Sequence, residues 1–194
     1  MRRTLPLLFA CGALLAACAA TRPGATPPAP VRVADLDARG EGDHFTFYSL
    51  REREVVPVAD SASTAWDLAF RATTVLVNAG ASGPGEGGAV VLADTTFEAV
   101  TAAPPADAFA TDRGVARDET AIPGGAGNGW YAYDVVSGIV SPRPVVLVIR
   151  TADGERYAKV AVESYYQGAP PEAELDPREG FRYYTFRYAF IPEE

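Results

Sequence analysis

Apolar and polar residues alternate with a period of two in several stretches of the chain. The alternation is clear in residues 44–50 (HFTFYSL) and in residues 181–190 (FRYYTFRYAF). The aromatic residues that share one face of the second stretch are Tyr184, Phe186, Tyr188 and Phe190. Because successive side chains of a strand point to opposite faces of a sheet, this period predicts β-strands with one buried face.

Further strands are predicted between these two stretches. Residues 66–77 and 89–92 flank a glycine-rich loop, and another strand begins at Trp130 in the sequence GWYAYDVV. Residues 144–150 (PVVLVIR) are apolar throughout, which is typical of a strand buried on both faces.

A hairpin is predicted where Asp153-Gly154 separates two runs rich in strand formers, since glycine supplies the positive φ that such a turn needs. Helical periodicity over ten or more residues is absent, and only a short helix near residues 61–65 or 94–101 is expected. The pattern predicts an all-β domain of mainly antiparallel strands.

The N-terminus has the pattern of a bacterial lipoprotein signal peptide. Arg2 and Arg3 precede an apolar run, and small residues lead to Cys18. We expect cleavage after residue 17 and acylation of Cys18, with an ordinary secretory signal as the alternative. Residues 18–35 then form the lipidated end and a Pro/Ala-rich linker, and residues 36–194 form the domain.

Composition narrows the range of partners. A chain of 194 residues with 48% hydrophobic and 22% charged residues is long and apolar enough for one folded domain. The net charge of −8 argues against nucleic acid, because phosphate backbones are bound by clusters of Lys and Arg. Cleavage would leave the mature protein with Cys18 alone and no methionine.

Residues 83–88 (GPGEGG) match a dinucleotide-binding pattern, but a predicted strand follows them instead of a helix, and no Gly-Lys-Ser/Thr follows. We interpret this loop as a structural connection.

Catalytic patterns are weak, and we do not expect an enzyme. The single histidine, His44, would have to carry any Ser–His–Asp triad. A hydrolase with paired acids, drawn from Asp67, Glu98, Asp134 or Glu163, is a minor alternative, because spacing alone does not place two carboxylates about a bond.

Six segments in order give a resemblance to a known family. They are HFTFYSLREREVVPV, AWDLAFR, NAGASGPGEGGAV, GWYAYD, IRTADGERYAKVAVESYY and YYTFRYAF, from about Asp43 to Phe190. Together they resemble the HmuY family of haem-binding lipoproteins. The resemblance implies a mostly β, lipid-anchored outer-membrane protein that captures haem and passes it to a TonB-dependent receptor.

The chain departs from the family in its iron ligands. The best-known member uses two histidines, but residues 111–127 contain none here, and Val135 stands at the second position. Tyrosinate can also serve as an axial haem ligand. We therefore predict Tyr133 as the first candidate iron contact, with Tyr131 on the same face by alternation and His44 as another candidate.

Two functions follow from these expectations. The first is a lipid-anchored envelope protein of the HmuY type that captures haem or a related ligand for a TonB-dependent receptor. The second is a structural or partner-docking envelope lipoprotein that has lost haem ligation. The sequence leaves open which membrane face the protein occupies, and it predicts no metal site beyond the possible haem iron.

Overall fold

Strand pairing begins close to the first residue that the structure describes. The structure is a computed structural model, and it describes residues 29–192. The predicted signal peptide, Cys18 and residues 18–28 of the linker lie outside this range, so their assignments stay predictions. Residues 31–35 do not belong to a linker, since they form most of the first strand, β1 (Val31–Asp37).

The larger of the two main sheets has five antiparallel strands in the order β1-β11-β10-β9-β6. The strands other than β1 are β6 (Gly88–Ala93), β9 (Val145–Arg150), β10 (Tyr157–Tyr166) and β11 (Phe181–Phe190). Strand β1 lies at one edge and pairs with β11, with Val31 opposite Tyr188.

The second main sheet has four antiparallel strands in the order β3-β2-β4-β5. These strands are β2 (Thr46–Ser49), β3 (Glu54–Val56), β4 (Leu68–Arg71) and β5 (Thr74–Val77). A separate hairpin pairs β7 (Tyr131–Tyr133) with β8 (Val140–Pro142).

Helical structure within residues 29–192 consists of four 3-10 helices of three residues each. They are Glu41–Asp43, Val58–Asp60, Ala106–Ala108 and Glu172–Glu174. The short helix expected near residues 61–65 or 94–101 is wrong, since turns and bends occupy both places. The predicted all-β, mainly antiparallel fold class is confirmed.

The main core lies between the two large sheets and is rich in aromatic side chains. The predicted apolar face of β11 is confirmed, because Tyr184, Phe186 and Tyr188 are fully buried. Phe70 of β4 stacks on Phe186 with ring centroids 5.5 Å apart, and Tyr48 of β2 meets the same ring edge-on at 5.6 Å. These contacts hold the two sheets face to face.

The outer face of the larger sheet is also covered. Phe97 and Val100, which follow β6, form a second apolar cluster with Val146 and Val148 of β9. The alternate residues of β9 belong to the main core. The prediction that this strand is buried on both faces is therefore confirmed.

The predicted strand over residues 66–77 is two strands. Strands β4 and β5 pair with each other around a turn at Ala72 and Thr73, where Ala72 has a φ of +48°. The turn contains no Gly, Pro, Asn or Asp, so the sequence carries no signal for it. At the predicted Asp153-Gly154 turn, by contrast, Gly154 has a φ of +76°.

Between residues 29 and 192, no helix has the length and apolar character needed to cross a membrane.

Candidate functional site

The glycine loop packs against the protein and leaves no space for a phosphate. A Cβ atom at Gly85 would lie 2.7 Å from the carbonyl oxygens of both Asn78 and Ala152. A Cβ atom at Gly83 would lie 2.1 Å from Oδ1 of Asn78 and 2.8 Å from the ring of Trp66. These glycines therefore serve close packing, as the sequence interpretation held.

Asn78 is the residue that holds this loop in place. Its buried side-chain amide donates to the carbonyl oxygens of Trp66 (2.8 Å) and Ser63 (2.9 Å), and its Oδ1 accepts from the Gly85 amide (3.0 Å). Sequence reasoning missed this role, because a single Asn before a glycine loop reads as another turn residue.

Asp67 has a structural position. It is fully buried, and its two oxygens accept from the backbone amides of Leu50 and Ala152, each at 2.8 Å. Leu50 follows β2 and Ala152 follows β9, so this carboxylate joins the ends of two strands from different sheets.

The other three acids considered for hydrolysis also have structural partners. Glu98 and Glu163 both pair with Arg187, at 2.8 Å and 3.5 Å, and Glu163 also pairs with Arg32. Asp134 accepts from the amide of Val136 in a turn. Each of the four acids therefore has a structural explanation, and none of these contacts indicates a catalytic pair.

The β7–β8 hairpin carries two of the predicted ligand residues, and Trp130 anchors its base. The Trp130 ring is buried, and its Nε1 donates to the carbonyl oxygen of Thr73 at 3.0 Å. On the other strand, the Val140 amide donates to the Tyr166 hydroxyl at 3.1 Å. Both strands of the hairpin are thus bonded to the sandwich.

The tip of this hairpin is a tight turn around Asp134. Its Oδ1 accepts from the amides of Val136 (2.8 Å) and Ser137 (3.4 Å), and its carbonyl oxygen accepts from the Gly138 amide. The Val136 amide, followed by the Ser137 hydroxyl and amide, lowers the pKa of Asp134. The turn presents Val135 and Val136 to solvent, 82% and 93% exposed.

The two candidate tyrosines of β7 differ sharply in exposure. Tyr131 is 6% exposed and packs against the Trp130 ring at 5.0 Å, whereas Tyr133 is 48% exposed. Alternation places both on one face, but the sandwich covers only the base of the hairpin. Of the two phenols, only that of Tyr133 lies where a ligand from solvent can reach it.

Tyr131 belongs to an aromatic group of the core. The ring of Trp130 also contacts Tyr165 (5.6 Å) and Tyr184 (4.9 Å). Burial raises the pKa of Tyr165 and of Tyr184, and the nearby Tyr131 phenol adds to both shifts. The buried Tyr131 side chain is therefore part of the core packing and is not open to a ligand from solvent.

His44 lies elsewhere in the molecule. It is exposed and lines an open groove of about 700 Å³ between β1 and the β2–β3 pair. Neither Tyr131 nor Tyr133 lines this groove. The structure therefore brings Tyr131 and Tyr133 together on one hairpin and places His44 at another site.

Within the described part of the chain, no group of three or more His, Cys, Asp or Glu residues is arranged to hold a metal ion. A haem iron held by this domain would have to use a phenolate or the single histidine, since residues 29–192 contain no Cys or Met. Tyr133, whose side chain is half exposed on the same hairpin as the exposed Val135 and Val136, fits an amphipathic haem-like group better than the buried Tyr131 does.

Comparison with solved structures finds the same fold in HmuY-like proteins. An apo HmuY analog of Tannerella forsythia has a TM-score of 0.56 and 17% identity, covering 86% of this chain and 99% of that one. A candidate HmuY-like heme-binding protein of Bacteroides vulgatus has a TM-score of 0.53 and 19% identity, covering 85% and 92%. A candidate lipoprotein of Bacteroides fragilis has a TM-score of 0.51 and 17% identity, covering 85% and 91%.

No curated protein matches the sequence. The HmuY protein family matches residues 41–176, which is more than half of the chain and includes β2 to β10, the glycine loop and the β7–β8 hairpin. The protein therefore belongs to the HmuY family.

Proposed function

We propose that this protein is a lipid-anchored cell-envelope binding protein that captures haem or a related ligand for a TonB-dependent receptor. The observation that carries the proposal is the exposed end of the β7–β8 hairpin of an HmuY-family fold, where Tyr133, Val135 and Val136 are all exposed to solvent. One structural neighbour is described as a candidate heme-binding protein and another as a candidate lipoprotein. Both descriptions support a lipid-anchored protein that binds haem.

In this proposal Tyr133 would hold the ferric iron through its phenolate oxygen, and Val135 and Val136 would offer apolar surface to the porphyrin. Tyr131 positions the strand from the core. His44 lies in the groove between β1 and the β2–β3 pair and not on the hairpin. It would therefore contact a ligand held by Tyr133 only after a conformational change or in a complex of two molecules. The role is binding and not catalysis.

A titration of the purified protein with haemin tests the proposal. We expect a shifted Soret band that saturates at a fixed stoichiometry in the ferric state, and a weaker complex after reduction, because phenolate favours ferric iron. An unchanged Soret band in both oxidation states would contradict haem capture.

The second candidate, a structural or partner-docking lipoprotein without haem ligation, has one specific observation in its favour. The family position of the second histidine is Val135, which is 82% exposed and has no iron-binding atom. A negative haemin titration together with retention on an envelope partner would support it.

A further inference from the structure

A small apolar groove lies where the two ends of the described chain meet. Ala29 and Pro30 line it from one end, and Ile191 and Pro192, which follow β11, line it from the other. The lining also includes Phe97 and Val100 from the segment after β6, and Ala189 and Phe190 from β11. The groove has a volume of about 350 Å³, and its mostly apolar lining suits an apolar occupant.

Lys159 holds one wall of this groove in place. Its ammonium group donates to the carbonyl oxygens of Phe97 (2.8 Å) and Val100 (2.7 Å), and it lies 4.7 Å from the centroid of the Phe97 ring. Hydrogen bonds from a charged donor are stronger than those between neutral groups. The segment after β6 is therefore fixed on the sheet, and the groove has a defined shape.

The two charged side chains that line the groove within residues 29–192 both have partners of their own. The Lys159 ammonium bonds to the two carbonyl oxygens, and Glu98 pairs with Arg187 at 2.8 Å. The Arg187 guanidinium also covers the Phe97 ring, 4.4 Å from its centroid. Because one positive and one negative charge line the groove and both are engaged, the occupant that fits is uncharged and apolar.

The chain itself brings such a segment to the groove. Residues 19–28 (AATRPGATPP), which precede Ala29 and lie outside the described range, contain three prolines, three alanines and a single charged residue. Since Ala29 lines the groove, the residues directly before it have a high effective concentration there. The two residues that follow Pro192 are both acids, which do not suit an apolar groove.

The prolines of this segment favour docking. Thr26 and Pro27 each precede a proline, which favours an extended backbone over a helical one. Extended proline-rich segments bind grooves with aromatic linings at a low entropic cost, because their backbone is already ordered. Phe97 and Phe190 supply the aromatic lining here.

We propose that Thr26, Pro27 and Pro28 dock in this groove of the same chain, against Phe97 and Ile191. Docking shortens the free tether between Cys18 and the domain to residues 19–25. The groove is separate from the β7–β8 hairpin, so the docking does not depend on haem capture.

The docked segment also determines which end of the domain lies near the tether. The groove is at the end of the larger sheet where β1 begins, with Val31 opposite Tyr188. The β7–β8 hairpin contacts the other end, since the Val140 amide donates to the hydroxyl of Tyr166, which lies opposite Phe181. The ten residues of β11 separate the two ends by about 30 Å. The hairpin therefore points away from the membrane, a consequence that rests on the proposed lipid anchor.

Nuclear Overhauser effects test the docking directly. The sample is the chain of residues 18–194 with Cys18→Ala, which contains every described residue and carries no acyl group. We expect cross-peaks from the Thr26 and Pro27 protons to the methyl groups of Val100 and Ile191, because these cross-peaks require direct proximity.

Pro27→Gly should release the segment, because glycine raises the conformational entropy that docking must overcome. The cross-peaks should disappear, and the order parameter of the Thr26 amide should fall from about 0.85 to below about 0.6. The amide signals of Phe97 and Ile191 should shift. The matched control is Pro23→Gly, which changes a proline outside the docked residues and should leave the groove signals unchanged.

The proposal is overturned if Thr26 is as mobile as Ala19, or if Pro27→Gly and Pro23→Gly behave alike. A mixture of labelled and unlabelled chains shows whether the cross-peaks arise within one molecule, and cross-peaks between molecules would assign the groove to a second copy and overturn the proposal as well. None of these measurements uses haem or lipid, so a failed haemin titration or a missing lipid anchor leaves them unaffected.

Discussion

Gly85 shows how a loop that resembles a ligand site in sequence serves packing in the structure. Its backbone lies against the carbonyl oxygens of Asn78 and Ala152, and the Gly85 amide donates to the Asn78 side chain. The neighbouring Glu86 amide donates to the Ala152 carbonyl oxygen at 2.8 Å. The loop thus links the segment after β5 to the turn between β9 and β10.

Replacing Gly85 by Ala should destabilise the protein by about 3 kcal/mol, because the new methyl group meets two carbonyl oxygens at 2.7 Å. The control is Gly168→Ala, where a φ of +74° strains the backbone but no atom lies within 4 Å of the added methyl group. That change should cost about 1 kcal/mol. Urea denaturation measures both, and equal losses would contradict the packing role.

Single residues also show where sequence reasoning stops. Alternation places Tyr131 and Tyr133 on one face of the strand, but it does not show that the sandwich buries Tyr131 and leaves Tyr133 half exposed. The exposure of Tyr133 depends on the distance of the hairpin tip from the core, which long-range contacts of Trp130 and Tyr166 determine. The position of His44 in the groove between β1 and the β2–β3 pair depends on how the two sheets pack, and no local sequence pattern encodes that packing.

At the scale of elements, strand β11 carries three fully buried aromatic side chains, Tyr184, Phe186 and Tyr188. Burial raises the pKa of Tyr184 well above 10.0, and it raises the pKa of Tyr188, where the adjacent Tyr48 phenol adds to the shift. The Tyr184 hydroxyl donates to the Ala72 carbonyl oxygen and the Tyr188 hydroxyl donates to the Leu50 carbonyl oxygen, each at 2.8 Å. Both phenols are therefore held neutral.

These shifts predict alkaline unfolding. A phenol whose pKa is higher in the folded state contributes its full stability below about pH 10, and that stability is lost as the pH rises towards the folded value. Absorbance at 295 nm should show that Tyr184 and Tyr188 ionise only together with loss of the near-ultraviolet circular dichroism. Ionisation of all nine tyrosines with an unchanged dichroism spectrum would contradict this account.

A continuous apolar run made β9 predictable, the Asp153-Gly154 turn predicted β10 after it, and the alternation of aromatic residues made β11 predictable. Strand β1 was missed for a physical reason. Its register shifts between Val33 and Leu36, where Asp35 has a φ of +54°, and this bulge breaks the alternation. Strands β3 and β8 have three residues each, too few for a period to appear.

At the scale of the whole molecule, the first strand, β1, begins at Val31, thirteen residues after Cys18. A lipid on Cys18 would hold the domain near a membrane through a proline-rich tether. Cys18→Ala should move the protein from the membrane fraction to the soluble fraction of the cell envelope. Fractionation with immunodetection measures this, and an unchanged membrane fraction would contradict the anchor.

The family fold, and the lack of histidine in residues 111–127 and of methionine in residues 29–192, support our proposal that haem capture by this chain depends on the phenol of Tyr133. The most direct measurement is the ferric absorption spectrum of haemin bound to Tyr133→Phe, compared with the spectra of the unchanged protein and of Tyr131→Phe. Tyr131→Phe removes a hydroxyl from the same strand, but from a buried side chain. The account predicts that only Tyr133→Phe loses the shifted Soret band, and an unchanged Tyr133→Phe spectrum would contradict it.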